Sequence, residues 1–409
     1  PAETLSGVIN TPAAPPAGFA YTTNVLVAVY GGFSNHAVHY AYDTVGNLTN
    51  LADWACTVTN AYDALNRRIT EFTASAATQD LQYAFEYSYD LAGNLTGQLF
   101  DGFYRLTTSF SNDPLNRLVD VQAWPKDRLI RARYYYNENG KPSMLAVQEE
   151  GQTKLTRNNS YDGEQRLTAI GGSFGGAACA LSYEYDNAQR IVGMNETIAG
   201  TERRFVYQYD ARDQLTRETE WFSDDMGWLE GPPNNYTYDR AQNRIAAVRS
   251  YAGINESYGY SFANKMTNIW RGTQNASSRY WYDLAGNLVT SIVKNVTNVY
   301  LYNAQNKLAK VVTTNTVYEF RYNSRNERIM VGTSVNGGAV TWRYDVCQGP
   351  VTRAEYGHDC RMTRWYVRGV GVADGIGDIV AEVDVSGDNP KPHYYLYNHR
   401  GDVLVVLNP

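Results

Sequence analysis

The stretch YAFEYSYDLAGNL, Tyr83 to Leu95, decides the fold. Tyr83, Phe85, Tyr87 and Tyr89 alternate with small or polar residues, so an extended backbone places all four rings on one face. Asp90 follows, and its carboxylate suits the first position of a type I turn, where it accepts hydrogens from amides two residues on. Gly93 supplies the positive φ that closes such a turn with a G1 bulge, and Leu95 opens the returning strand. The segment predicts a β-hairpin.

The same unit recurs along the chain. It reads YDTVGNL from Tyr42, YDALNRRI from Tyr62, YDLAGNL from Tyr89, NDPLNRL from Asn112, YNENG from Tyr136, YDGEQRL from Tyr161, YDNAQRI from Tyr185 and YDARDQL from Tyr209. It continues as YDRAQNRI from Tyr238, YSFANKM from Tyr260, YDLAGNL from Tyr282, YNAQNKL from Tyr302, YNSRNERI from Tyr322, YDVCQ from Tyr344 and YNHRGDV from Tyr397. Steps of about 20 to 29 residues through Tyr344 fall in the range of solenoids and arrays. The turn-forming pairs are Tyr42 and Asp43, Tyr62 and Asp63, Tyr89 and Asp90, Tyr161 and Asp162, Tyr185 and Asp186, Tyr209 and Asp210, Tyr238 and Asp239, Tyr282 and Asp283, and Tyr344 and Asp345.

The position expected to take positive φ is Gly46, Gly93, Gly140, Gly286 or Gly401 in some units, and Asn66, Asn116, Asn264, Asn306 or Asn326 in others. Gln165, Gln189, Gln242, Gln348 and Asp213 stand there in the rest, so those turns are expected to differ or to carry more strain. In the units at Tyr62, Tyr238 and Tyr322 the apolar residue arrives one place later, as Ile69, Ile245 and Ile329, which predicts a register adjusted by one. Phe205, Tyr207 and Tyr209 repeat the one-face alternation, and no sustained helical period occurs. About fourteen hairpins imply on the order of 28 strands, and a twisted open sheet of that size must coil or close. The fold class is therefore all-β, a long meander of hairpins coiled into a spiral sheet that forms a hollow shell or part of one.

Composition agrees. The 409 residues include 34 Tyr against 12 Phe and 8 Trp, and Tyr favours half-buried pleated surfaces. A net charge of -6 gives no basic field to hold a phosphate backbone, so nucleic acid is excluded as a partner. No apolar run is long enough to span a bilayer as a helix, and Pro1 is not followed by a basic stretch and apolar core of signal-peptide type.

These residues resemble the YD-repeat family: bacterial Rhs and wall-associated proteins, the C component of insecticidal Tc toxins and the YD shell of teneurins. The resemblance covers nearly the whole chain from Tyr42, and its motif is specific through repetition. It implies repeats wound into a hollow β-cocoon. The stretch from RWYVRGVG at Arg364 to YYLYNHRGDVLVVLNP at Tyr394 resembles the opening of the Rhs-associated core, which in the family continues to an aspartate-containing motif that plugs the shell and cuts off a C-terminal cargo. The sequence reaches Pro409 before such a motif, and no autoproteolytic aspartate is carried over. The expected organisation is residues 1–41 as linker, with TPAAPPAG from Thr11, and capping strands; 42–363 as the array; and 364–409 as the core-like segment.

Sharper chemistry is sparse. Cys347 and Cys360 are the candidate disulfide, bridging one loop if the chain is exported, with free thiols the alternative; Cys56 and Cys179 read as small buried residues. Cys347, His358, Asp359 and Cys360 match no standard zinc spacing, and no metal or other cofactor is expected. Arg400-Gly401-Asp402 occupies a repeat turn, and the Asn-X-Thr sequons arise from repeat composition. No nucleophile elbow, paired His-Glu motif or phosphate loop is present, so no enzyme is expected. Trp54, Trp124, Trp221, Trp228 and Trp270 between the turns suit either sheet packing or a sugar face. The expected role is a non-catalytic structural shell, secreted or on a bacterial cell surface. Its partner is a polypeptide cargo or the remainder of a longer Rhs-like protein, and the alternative is a glycan-binding adhesion module.

Overall fold

In the computed structural model the described residues are 22–27, 36–75, 81–224, 226–250, 252–272, 276–349, 351–370 and 376–408. The proline-rich linker expected around Thr11 lies outside them. They form a single antiparallel sheet of 34 strands, and the one helical piece among them is a 3-10 turn at Pro125–Asp127. Strands pair with their neighbours in sequence. The exception is Leu215–Asp224, which pairs with Gly227–Glu230 at one end and with Asn234–Tyr238 at the other. The return strand is broken there because Pro232 and Pro233 have no N–H to donate, while the Gly231 N–H donates to the Glu220 carbonyl at 2.8 Å. Thr22–Val27 pairs only with His36–Tyr42, and Val403–Leu407 only with Lys391–Tyr397, so the sheet is not closed by its ends.

Each repeat turn has the same build. In the unit at Tyr89, the Asp90 N–H donates to the Asn94 carbonyl (3.0 Å) and the Gly93 N–H to the Asp90 carbonyl (3.1 Å). A bulge at Ser88/Tyr89 leaves Tyr89 opposite Leu95. The units with Gln do not differ: Gln165, Gln189 and Gln242 have φ of 63, 65 and 69, and Asn66 and Asn116 have 60. The pattern of hydrogen bonds fixes the turn, and the side chain at this position adapts to it.

The expected register adjustment is also absent. Tyr62 pairs with Arg68, Tyr238 with Arg244 and Tyr322 with Arg328, six residues on, as Tyr42 pairs with Leu48. In these units arginine stands in the place of leucine, and Ile69, Ile245 and Ile329 fall on the next position. Tyr344 and Asp345 require a larger correction. They lie inside the strand Thr341–Gln348, with Asp345 only 3% exposed and bonded by Arg343 and Arg328. Gln348 ends that strand and takes no positive φ. The turn of this unit is instead YGHDCRM, residues 356–362, where the Gly357 N–H donates to the Arg361 carbonyl (2.8 Å) and Cys360 has φ 57. Cys347 and Cys360 form no disulfide, because they sit at opposite ends of one strand pair.

The strip rolls until its end overlaps its beginning. Phe100 meets Trp365 with ring centroids 5.2 Å apart, Arg353 donates to Gln98 (2.7 Å), and the Phe103 N–H donates to the Tyr356 hydroxyl (3.3 Å). The main core lies in this overlap, with Phe85, Phe100, Val121 and Ile130 on one side and Val346, Trp365, Ala381 and Val383 on the other, each at most 1% exposed. At about 25 cal/mol per Å² of apolar area, this overlap is the largest hydrophobic term in the molecule. Residues 215–312 differ: among the described residues there, only Ala247 and Tyr258 are buried hydrophobics. Among the described residues no apolar layer packs on that span, which is a single-layered arc.

The positive-φ positions allow a clean test. An added Cβ at Gly93 meets nothing within 4 Å, so Gly93→Ala carries only backbone strain and is expected to cost about 1 kcal/mol. Gln189→Gly relieves the same strain against the chain-entropy cost of glycine, for a net gain of roughly 0.5 kcal/mol. Urea unfolding midpoints moving in opposite directions meet the expectation; equal shifts contradict the shared turn geometry.

Candidate functional surface

Two side-chain systems run along the rim of turns. The first is the aspartate cap. Asp186 Oδ1 accepts the Ala188 and Arg190 amides, both at 2.9 Å, while its Oδ2 accepts Arg190 Nε at 2.8 Å. Where the residue four places on is Asn, the cap closes the same way: Asp90 Oδ1 accepts the Asn94 amide and Oδ2 its side-chain nitrogen, at 2.8 and 2.9 Å. Asp43, Asp63, Asp162, Asp239 and Asp283 are capped likewise. Asp210 accepts the Arg212 and Gln214 amides.

The cap partner also reaches the next turn. Asn47, Asn94, Asn243 and Asn287 donate to Asn66, Asn116, Asn264 and Asn306 of the following unit. Arginines instead stack on the following tyrosine: Arg67 over Tyr89 at 4.8 Å, Arg117 over Tyr136 at 4.5 Å, Arg166 over Tyr185 at 4.8 Å and Arg190 over Tyr209 at 5.0 Å.

The second system is a tyrosine ladder. From Tyr62 to Tyr322 the hydroxyl of the repeat tyrosine donates to the carbonyl of the first return-strand residue of the preceding unit: Tyr62 to Leu48, Tyr89 to Arg68, Tyr161 to Pro142, Tyr185 to Leu167, Tyr209 to Ile191, and onward through Tyr238, Tyr260, Tyr282, Tyr302 and Tyr322. Burial, the largest influence, raises the pKa of these phenols, which keeps them protonated as donors. In the unit at Tyr344 the carbonyl of Arg328 is taken by the Cys347 thiol at 3.4 Å, whose pKa burial pushes up to about 12. That thiol is a buried hydrogen-bond donor and an unreactive one.

On the arc the ladder becomes a surface. Tyr236 and Tyr238, Tyr258 and Tyr260, Tyr280 and Tyr282, and Tyr300 and Tyr302 alternate two by two, so they occupy the sheet face whose counterparts Tyr83, Tyr87 and Tyr89 meet the core in the overlap. Apart from buried Tyr258 they are half-buried. This uncovered face, which no single motif announces, is the candidate functional surface. The signal for it in the sequence was the tyrosine count together with the two-residue spacing.

Other candidates are placed as follows. Gly401 has φ 86, and Asn398 Oδ1 accepts the Arg400 and Asp402 amides, so the Arg-Gly-Asp tripeptide is a capped repeat turn. His358 Nδ1 accepts the Trp342 N–H and Asp359 the Arg361 amide; among the described residues no three His, Cys, Asp or Glu side chains are grouped to hold a metal ion. Trp54, Trp124, Trp221 and Trp270 are half-buried and Trp228 is 49% exposed, and they lie on separate strands and loops. Among the described residues no helix is long and apolar enough to cross a membrane.

Side-chain bonds from Asn94, Arg117, Arg190, Asn243 and Asn287, followed by the turn amides, hold Asp90, Asp113, Asp186, Asp239 and Asp283 below the usual carboxylate pKa. A lowered folded-state pKa stabilises the fold above the ordinary carboxylate value, and that stability is lost as pH falls through the folded value. The thermal midpoint is therefore expected to fall steeply below about pH 4, with Asp186→Asn reducing the steepness. A midpoint that stays flat through that range contradicts the cap.

No family model matches the sequence, and no curated protein does. Among solved structures, a Tc holotoxin pore of Photorhabdus luminescens is similar at 12% identity over 95% of this chain and 26% of that one, with a TM-score of 0.46. A TcdB2-TccC3 crystal structure is similar at 11% identity over 100% of this chain and 27% of that one, with a TM-score of 0.33. A porin-like protein of Bacteroides uniformis follows at 10% identity, 51% and 93% coverage and a TM-score of 0.24. The chain thus spans about a quarter of the length of the two toxin chains. Likeness at these scores bears no functional argument.

Proposed function

We propose that this protein is a non-catalytic structural wall, a length of β-shell whose tyrosine-lined arc encloses or presents a polypeptide. The observation that carries the reading is the uncovered arc of residues 215–312, where a continuous sheet leaves one aromatic face without a layer of its own. A sheet normally buries its apolar face against another layer, and the tyrosines here offer rings for contact, with the hydroxyls of Tyr238, Tyr260, Tyr282 and Tyr302 already satisfied by backbone carbonyls. Such a face tolerates both water and an extended chain. The YD-repeat resemblance of the sequence implies the same task, with an exported or cell-surface setting and a cargo or the remainder of a longer protein as partner.

Two measurements test the proposal. A filled globule of this length has a radius of gyration of about 22 Å; small-angle scattering is expected to give a clearly larger value with a hollow or arc-shaped profile, and a compact filled particle overturns the wall. An unstructured polypeptide fused after Pro409 is expected to be cleaved by trypsin at least about tenfold more slowly than the same peptide free in solution, as shielding lowers the exposed population. Equal rates overturn enclosure.

A further inference from the structure

Where the two ends of the strip overlap, a cavity of about 360 Å³ lies between the strands Pro142–Glu149 and Gln152–Tyr161 on one side and Ile376–Asp384 and Lys391–Tyr397 on the other. Its size is in the small-molecule range of roughly 300–1,000 Å³. Tyrosine rings form its walls. The hydroxyls of Tyr161, Tyr185 and Tyr397 are spent on the carbonyls of Pro142, Leu167 and Ile379, and that of Tyr395 on Glu382, which leaves the rings as flat apolar surfaces.

Several polar atoms lining the same cavity lack partners among the described residues. Arg157 Nε donates to Asn159 at 3.0 Å, but its two terminal nitrogens have no hydrogen bond or ion pair among the described residues. Gln165 Oε1 and His399 Nδ1 are buried and unbonded. Burial lowers the pKa of both Arg157 and His399, which leaves the guanidinium charged and the imidazole neutral near neutral pH. Asp378 also lines the cavity and attracts Arg157. A planar cationic fork matches a carboxylate, and a buried carbonyl oxygen needs a hydroxyl donor. A neutral imidazole nitrogen serves as acceptor or donor according to its tautomer.

We propose that this cavity binds a small polyhydroxy carboxylate, its carboxylate on the Arg157 fork and its hydroxyls directed to Gln165 Oε1 and His399 Nδ1 between the tyrosine rings. The site is independent of enclosure by the arc. Asp378 acts against the ligand's charge, so its removal has the opposite effect from removal of Arg157.

Isothermal titration of the full chain with sodium gluconate, and with glucose as the neutral control at matched ionic strength, tests this. Saturable gluconate binding at least about tenfold tighter than glucose is expected, lost by about tenfold in Arg157→Gln and strengthened in Asp378→Asn. Gluconate binding no tighter than glucose overturns the proposal, as does gluconate affinity unchanged in Arg157→Gln. If Arg157→Gln does not fold, Asp378→Asn decides: tighter binding supports the site, and unchanged or weaker binding overturns it.

Discussion

The hydrogen bond from a tyrosine hydroxyl to the carbonyl one hairpin back is the interaction on which the rest of the structure depends. Sheet hydrogen bonds join a strand to its immediate neighbour. The Tyr185 bond to Leu167 adds a side-chain tie between two such neighbours, Leu167–Phe174 and Ala177–Tyr185, and fastens one unit's tyrosine to the carbonyl that opens the previous unit's return strand. The bond requires the tyrosine to stand opposite the residue six places on, which fixes the bulge and with it the register. Arg68 shows that the backbone matters and the side chain does not: its carbonyl accepts Tyr89 as Leu48 accepts Tyr62. A net gain of about 0.5–1.5 kcal/mol for each such bond, repeated along the chain, compensates for a sheet that elsewhere has little core.

That constraint explains why so much was legible in the sequence. The cap of Asp90, the positive φ of Gly93 and the single face shared by Tyr83, Phe85, Tyr87 and Tyr89 are local features, and local features are written in adjacent residues. The misreadings at Tyr344 and Asp345 have a physical cause. The dipeptide alone does not signal a turn: Gln348, three places after Asp345, continues a strand although Gln165, Gln189 and Gln242 take positive φ at that place in other units, and Cys360 in YGHDCRM makes the turn. Buried Asp345 is instead held by two arginines, a role the motif alone does not distinguish from a cap. The overlap was not legible, since Phe100 and Trp365 are distant in sequence and nothing local to either announces the other.

The contrast between overlap and arc follows from composition. Strands in the overlap place Phe85, Phe100, Val121 and Ile130 on the inner face, whereas those of the arc place tyrosine pairs with Thr219, Glu256, Ser278 and Ser291 among the buried polar positions. Glu256 is 6% exposed yet bonded by Tyr258 at 2.6 Å and Arg271 at 2.8 Å, so its burial is compensated within the single layer. A face satisfied in this way neither demands a second layer nor collapses for want of one.

A repetitive face raises a problem of its own. The repeat recurs about every 22 residues, so an apolar overlap shifted by one unit would bury a similar face, and hydrophobic contact alone would specify the offset weakly. The residues that set it are those that vary from unit to unit. Asp53 accepts the Ser324 amide at 2.7 Å, Arg325 reaches Glu71 at 3.4 Å and Glu327 at 2.9 Å, and Arg353 finds Gln98 at 2.7 Å. Glu71 is 1% exposed and keeps Arg68 as a local partner, whereas Arg353 is 3% exposed and bonds Gln98 across the overlap, so a shift by one unit takes Arg325 from Glu71 and Gln98 from Arg353. Removing one partner from a buried charge costs several times more than the intact pair contributes. The tyrosine ladder therefore determines how the strip is built, and these few buried polar contacts determine where its roll stops.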